Sequence, residues 1–276
     1  AGISFALRGG ANLQLFARLQ WALALSAAIG LHFFGQLPDR MLELSARSGT
    51  SWSALFTGQI GLVAMLLLVP CALLGALFPV ATRLMQRGHG GDAAGFAYAV
   101  NTAGTLAGSL AAGFLLVPTL GVQGTHVAAL GLSAAIAVAA LALGLSRREL
   151  PMGELVIGLG ATALAGALAW GAPAWNPTVM SAGVFRPVRA NELQVAARSG
   201  GAGSAIERAV VDEHLLYYRE GANATVLVGS DMTGQQRWLK VGGKVDASTK
   251  DMETQVLLGL IPAATADSGA RTLVIG

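Results

Sequence analysis

The chain has 276 residues, of which 54% are hydrophobic and only 12% are charged. Soluble domains carry about 25% charged residues, so this composition excludes an ordinary soluble globule, and it also excludes intrinsic disorder, which needs high charge and low hydrophobicity. The net charge of +3 is too small to indicate binding to nucleic acid. The single cysteine, Cys71, excludes a disulfide framework and a cysteine-based zinc site, and the four scattered histidines indicate no metal site.

The charges are unevenly distributed along the chain. Residues 1–170 contain eight arginines, five acidic residues and no lysine, whereas residues 171–276 contain ten basic and ten acidic residues. The two parts meet at a proline-rich stretch whose tryptophans, Trp170 and Trp175, are typical of a membrane–water interface. We therefore predict a membrane domain over residues 1–170, a linker over 171–213 and a soluble domain over 214–276.

The membrane domain is predicted to consist of about five helices. A helix needs about 20 mainly apolar residues to cross the hydrocarbon core of a bilayer. Five segments approach this length, and Pro70 is expected to kink the second of them. They are Leu15–Phe34, Leu55–Val80, Gly95–Leu116, His126–Leu145 and the shorter Leu155–Trp170.

Arginines in short loops predict the orientation of these helices, because such loops face the cytoplasm. The arginines before and at the start of the first span, after the second and after the fourth are expected to share one side, whereas the loop Pro118–Gly124 is uncharged and fits the opposite side. These arginines are Arg8, Arg18, Arg83, Arg87, Arg147 and Arg148.

The third span carries a stripe of small residues, Gly104, Gly108 and Ala112. Small residues at this spacing allow helix backbones to approach closely. The alternative is a transport pathway, but no Asp, Glu or Lys lies deep inside a predicted span, where coupled transporters place ionisable groups. We therefore favour a close helix crossing at Gly104 and Gly108.

Three strands are predicted in the soluble domain, at Leu215–Gly221, Ala224–Val228 and Arg237–Val241, with a turn at Asp231–Gln236. They indicate a small antiparallel β unit. A helix is expected over Asp251–Leu260, capped by Ser248 or Thr249 and stopped by Pro262. The run from Thr272 to Ile275 before Gly276 is typical of the first strand of a nucleotide-binding α/β fold, so we expect the chain to be a fragment of a longer protein.

Several segments resemble the spermidine synthase (aminopropyltransferase) family, in particular its bacterial fused form, in which a membrane domain precedes the synthase-like domain. In the soluble part they are YYREGANATVLV, LKVGGKVDASTKDMETQVLLGLIP and TLVIG, and in the membrane part GALFPVATRL and YAVNTAGTLAGSLAAGFLLVPTLG. The resemblance covers roughly positions 70–276. It implies that the helical transmembrane bundle and the β unit are followed by the start of an α/β methyltransferase-like domain.

The resemblance implies a multi-pass inner-membrane protein that transfers an aminopropyl group from decarboxylated S-adenosylmethionine, as co-substrate, to a diamine such as putrescine. The expected partners are the lipid bilayer and a polyamine or other small amine. Binding to nucleic acid is not expected, and a homodimer is compatible with the resemblance. The donor is a cytoplasmic metabolite, so the soluble domain is expected in the cytoplasm. The family's acidic catalytic motifs fall beyond Gly276, so the chain by itself is expected to be inactive, with no catalytic residue and no metal.

The resemblance also implies donor- or substrate-binding positions, namely Tyr218, Gly243, Asp246, Gln255 and Gly276. The chain departs from the family at several of them. Gly242-Gly243 and Asp246 stand where an Asp-Gly pair and a Gln are usual, Gln255-Val256 replaces Tyr-His, and Ala224 replaces a Gln. Asp246 either contacts an amine or a ribose hydroxyl, or forms an Asx turn or cap before the helix. Gln255 either replaces an imidazole or is an exposed helix residue. These departures leave open a non-catalytic or transporter-linked polyamine-binding membrane protein.

Overall fold

The computed structural model describes residues 13–49, 51–89, 93–148, 150–186, 190, 192, 195, 205–266 and 271. The chain divides into two compact units. The first comprises residues 1–176 with 220–223, and the second comprises residues 177–219 with 224–276. Each unit has its own architecture.

The first unit is helical. Among the described residues, four helical runs are long and apolar enough to cross a membrane, which confirms the prediction of several apolar helices. The helices are α1 (Leu13–Ser48), α2 (Trp52–His89), α3 (Ala93–Ala111), a π-helical turn (Ala112–Leu116), α4 (Val117–Ser146) and α5 (Gly153–Trp170).

Helices α1 and α2 are longer than the sequence predicted. Helix α1 continues through Pro38, and α2 continues through both Pro70 and Pro79. Proline is tolerated within apolar membrane helices because local adjustments and neighbouring groups satisfy the backbone carbonyls that it leaves unpaired. Proline therefore does not mark helix ends in this unit.

The loop predicted at Pro118–Gly124 is replaced by a local break at Gly121. Gly121 has φ 73° and ψ 175°, a conformation that is essentially restricted to glycine, and helical structure continues on both sides of it. The whole run from Ala94 to Ser146 has 53 residues. At 1.5 Å per residue it is about 80 Å long, against a hydrocarbon core of about 30 Å. The run is therefore long enough for the two crossings that were predicted, joined at Gly121.

Helices α1, α4 and α5 form the core of the helical unit. Their contacts are made largely by small residues, with Trp21 as the main large side chain. The Trp21 indole N–H donates to the Thr162 hydroxyl at 3.1 Å, and a ring nitrogen of His32 lies 3.0 Å from the Leu168 carbonyl oxygen. Successive contacts therefore advance in the same direction along α1 and α5, so these two helices run parallel.

The start of α5 carries a buried carboxylate that the predicted span boundary at Leu155 left out. Glu154 is 4% exposed. Its Oε2 accepts a hydrogen bond of 3.1 Å from Arg18 Nε, and its Oε1 accepts one of 2.9 Å from Gln14 Nε2 and another from Arg18 Nη2. Arg18 therefore holds α1 and α5 together at one end of the helical unit.

The predicted close crossing at Gly104 and Gly108 is wrong within the described part of the chain. A Cβ added at either glycine meets no atom within 4 Å. The close approach occurs instead at Gly158 on α5. A Cβ there would lie 2.5 Å from Trp21 Cζ2 and 3.0 Å from Leu141 Cδ2. Gly158 therefore allows α5 to pack against Trp21, whereas the stripe on α3 faces open space.

The second unit contains a four-stranded sheet with strand order β1-β2-β3-β4. Its described elements begin with two short helices, α6 (Pro177–Met180) and α7 (Ala205–Ala209), and continue with β1 (His214–Glu220), β2 (Thr225–Ser230), β3 (Arg237–Val241), β4 (Lys244–Ser248) and α8 (Met252–Thr265). Strand β3 pairs antiparallel with both β2 and β4. The three predicted strands and the small antiparallel unit are confirmed, and β4 is an additional strand.

The turn predicted between β2 and β3 is present. The Asp231 backbone N–H donates to the Gln236 carbonyl at 2.9 Å, and the Asp231 carboxylate accepts from the Thr233 hydroxyl at 2.8 Å. Burial raises the pKa of the Asp231 carboxyl, but hydrogen bonds from Thr233 and from backbone N–H groups of the same turn outweigh this effect and hold that pKa below its usual value. The carboxylate thus organises the turn.

The helix that follows β4 begins and ends differently from the prediction. Ser248 makes no side-chain cap, and Thr249 Oγ1 instead accepts a hydrogen bond of 3.0 Å from the Arg237 backbone N–H. A 3₁₀ turn at Thr249–Asp251 leads into α8, which continues past Pro262 to Thr265. The connection between β4 and α8 is therefore stabilised by the hydrogen bond from β3 to Thr249, and not by a side-chain cap on the helix.

Candidate functional site

The β3–β4 hairpin presents two different faces. In its register Trp238 pairs with Ser248 and Lys240 with Val245, whereas Leu239 pairs with Ala247. Alternate residues of a strand point to opposite faces. One face therefore carries Trp238 and Lys240, and the opposite face carries Leu239.

Asp246 occupies a β-bulge in this hairpin. The pairing shifts between Leu239 and Lys240, so Asp246 is the residue without a partner on β3. Its carboxylate oxygen Oδ1 lies 2.5 Å from Lys244 Nζ. A contact between residues i and i+2 places both side chains on one face, opposite to that of Lys240. Asp246 thus lies within β4, and the Asx-turn or cap alternative is wrong. Bulges re-aim side chains and are common beside active sites.

Gly243 forms the hairpin turn with Gly242, and both have positive φ, at 79° and 55°. A Cβ on Gly243 would lie 3.2 Å from the Gly183 Cα and 3.4 Å from the Phe185 ring. Glycine is needed here both for its conformation and for this close approach. Gly243 therefore fixes the hairpin against the segment around Gly183.

Of the other predicted positions, Tyr218 and Gln255 lie on different elements, β1 and α8. Gln255 is partly buried, and its amide donates to the Ser248 carbonyl at 3.5 Å, so it contacts the end of β4 instead of being a fully exposed helix residue. Tyr218 is partly buried on β1, whereas Tyr217 is 48% exposed. Gly276, and the strand predicted from Thr272, lie outside the described residues. The structure brings Gly243, Asp246 and Gln255 to the β3–β4–α8 region.

A cavity of about 480 Å³ lies on the Lys240 face of the hairpin. Its floor is formed by residues of β3 and β4, among them Trp238 and Val245, and its other lining residues include Arg186 and Glu192. All the lining residues that the structure describes belong to the second unit. Asp246 does not line this cavity, in agreement with its position on the opposite face.

A buried ion pair lies at the base of the cavity. Lys240 Nζ is 2.6 Å from Glu213 Oε2, and the two side chains are 2% and 11% exposed. The ammonium also lies 5.9 Å from the centre of the Trp238 ring, within range of a cation–π interaction. This pair was not predicted from the sequence. The available signal was a lysine that alternates with a tryptophan on β3, next to Leu239 and Val241.

Among the described residues, no group of three or more His, Cys, Asp or Glu side chains is placed to hold a metal ion. Comparison of the chain with models of protein families, with curated proteins and with solved structures finds no match.

Proposed function

We propose that the full-length protein is a membrane-anchored aminopropyltransferase related to spermidine synthases. Its donor is decarboxylated S-adenosylmethionine, and its acceptor is a diamine such as putrescine. The proposal further assigns residues 214–276 to the beginning of the methyltransferase-like catalytic domain. The membrane spans anchor that domain at the inner membrane.

The main support is the placement of Asp246. The two described soluble segments that resemble the family contribute to strands of one sheet, and Asp246 stands in a bulge three residues after the double-glycine turn. Its side chain is solvent-exposed on the face away from the Lys240 cavity. A carboxylate in such a position can bind an ammonium group of the diamine or a ribose hydroxyl of the donor.

The reaction requires a neutral amine and an electrophilic carbon. The lone pair of the amine attacks the propyl carbon bonded to the sulfonium, a C–N bond forms, the C–S bond breaks, and the sulfur leaves as a neutral thioether. The new ammonium then loses a proton to a base, a role that a carboxylate can fill. Asp246 is assigned to binding and orientation, and the proton acceptor to the acidic motifs that the resemblance places after Gly276.

Replacing Asp246 with asparagine in the full-length protein is expected to lower kcat/KM about 10- to 100-fold, mainly through a higher KM for the substrate that the carboxylate binds. This range corresponds to a charged hydrogen bond worth about 1.5–3 kcal/mol. Steady-state kinetics with each substrate varied in turn identify which one is affected. Asp212→Asn is the matched control, because Asp212 is exposed and lies outside the hairpin. Unchanged constants for both substrates would reduce Asp246 to a structural residue.

The proposal also places the second unit in the cytoplasm, where the donor is made. The packing of the helices sets this cytoplasmic location against the usual distribution of positive charge. Helices α1 and α5 run parallel, so Arg18 and the α4–α5 connection with Arg147 and Arg148 lie at the end of the helical unit opposite to Trp170. If α5 crosses the membrane, a cytoplasmic second unit places these arginines outside, against the usual distribution of positive charge.

Cysteine labelling tests the sidedness. Met232 is 72% exposed in the β2–β3 turn, and Cys71 is the one native cysteine. A Met232→Cys/Cys71→Ser protein in spheroplasts is expected to react with an impermeant maleimide only after permeabilisation. Cys71→Ser alone gives the background. Labelling in intact spheroplasts would place the unit outside and separate it from the proposed donor.

A further inference from the structure

The cavity on the Lys240 face has an excess of positive charge. Its described lining includes four cationic side chains and two carboxylates, an excess of two positive charges. They are Arg186, Arg237, Lys240 and Lys250, and Glu192 and Glu213. A concave surface with this balance attracts anions and repels both the sulfonium donor and the diamine of the proposed reaction. The cavity is therefore unsuited to those substrates.

The cations differ in their surroundings. Lys240 is buried at the base against Glu213. Arg186, Arg237 and Lys250 are exposed, and within the described part of the chain their side chains form no ion pair. The planar guanidinium of arginine offers two parallel N–H donors that match the oxygens of a phosphate or carboxylate. Three exposed cations thus line one cavity, and no salt bridge among the described residues neutralises them.

Neutral groups in the lining suit the same kind of ligand. The Thr249 oxygen accepts a hydrogen bond from the Arg237 backbone N–H, which leaves its O–H available to donate. Ser248 and Gln236 also line the cavity and can donate hydrogen bonds, and Trp238 adds apolar surface to the lining. These donors and the cations can together satisfy several oxygens of a tetrahedral anion.

We propose that this cavity is a binding site for a phosphate group, formed by Arg186, Arg237 and Lys250 around the Lys240–Glu213 pair. The site is on the opposite face of the hairpin from Asp246 and is independent of the aminopropyl transfer reaction. The phosphate can belong to a soluble ligand or to a phospholipid headgroup, since the unit is joined to a membrane span through residues 171–176.

Calorimetric titration of the full chain in an uncharged detergent tests this site. The probes are inorganic phosphate, which represents a soluble ligand, and glycerophosphoglycerol, the soluble diester headgroup of an anionic lipid. Saturable binding of at least one probe is expected, and it should weaken as the ionic strength rises. Tighter binding of phosphate identifies a soluble ligand, and tighter binding of the diester identifies a lipid headgroup.

The Arg186→Gln/Arg237→Gln protein is expected to bind the preferred probe at least tenfold more weakly. Arg219→Gln makes the same type of charge change at an exposed position of β1 outside the cavity and should leave binding unchanged. If the double variant is misfolded by circular dichroism, Lys250→Gln is measured in its place, with an expected loss of at least threefold. Failure of both probes to bind the native chain, or undiminished binding by the folded variants, would overturn the proposal.

Discussion

A Lys240→Met protein is expected to lose about 3–5 kcal/mol of unfolding free energy in the second unit. The substitution leaves the Glu213 carboxylate, which is 11% exposed, without the ammonium that lies 2.6 Å from it. Breaking a buried pair on one side costs this much because the remaining charge stays desolvated. Since domains are stable by only about 5–15 kcal/mol, the loss is a large fraction of the total.

Two comparisons separate this effect from a general loss of charge. Lys244→Met breaks the pair with Asp246 in the same hairpin, but its side chain is 56% exposed, and the expected loss is at most about 1 kcal/mol. The double variant Lys240→Met/Glu213→Gln removes both charges and should recover part of the stability. Urea unfolding followed by tryptophan fluorescence measures all three, and equal losses for Lys240→Met and Lys244→Met would contradict the assignment.

An Arg18→Leu protein is expected to destabilise the helical unit by about 3 kcal/mol. Glu154 has a 5% exposed side chain and accepts hydrogen bonds from two Arg18 nitrogens, so the variant leaves a buried carboxylate with the Gln14 amide but without its cationic partner. The estimate is taken at the lower end of the range for buried pairs, because the Arg18 side chain itself is 51% exposed.

Unfolding in mixed dodecyl maltoside and SDS measures this loss. Arg40→Leu is the matched control, because Arg40 lies on the same helix and pairs with Glu43 at 3.5 Å, with both side chains more than half exposed. It should change the unfolding free energy by less than about 0.5 kcal/mol. Arg18→Leu/Glu154→Gln should be more stable than Arg18→Leu, and an Arg18→Leu protein as stable as the native chain would show that the pair contributes nothing.

The elements that depend on local composition could be predicted from the sequence. The helices follow from long apolar runs, and β3 follows from five residues bounded by a turn and a double glycine. Strand β4 could not be predicted, because Lys, Asp and Ala within it disfavour strands. The strand conformation of β4, including the bulge at Asp246, depends on its pairing with β3. Helix α2 continues through Pro70 and Pro79 because the apolar sequence around them favours a membrane helix.

The buried charges depend on partners distant in sequence. Glu213 lies 27 positions before Lys240, and Arg18 lies 136 positions before Glu154. Composition alone predicts that each charged residue faces solvent or the membrane interface, because an unpaired buried charge is costly. Only the fold places each charge beside its partner. The family resemblance therefore pointed to Gly243 and Asp246, but neither the β3–β4 hairpin that holds them nor the cavity behind it was predicted from the sequence.

Direct detection of aminopropyl transfer tests the central claim. The full-length protein in detergent is incubated with putrescine and with decarboxylated S-adenosylmethionine whose aminopropyl group carries ¹³C, and the amines are analysed by mass spectrometry. The proposed function predicts labelled spermidine and release of the thioether in equal amounts, and no labelled triamine with residues 1–276 alone. Binding of putrescine without a labelled product would contradict the claim and favour a non-catalytic polyamine-binding membrane protein.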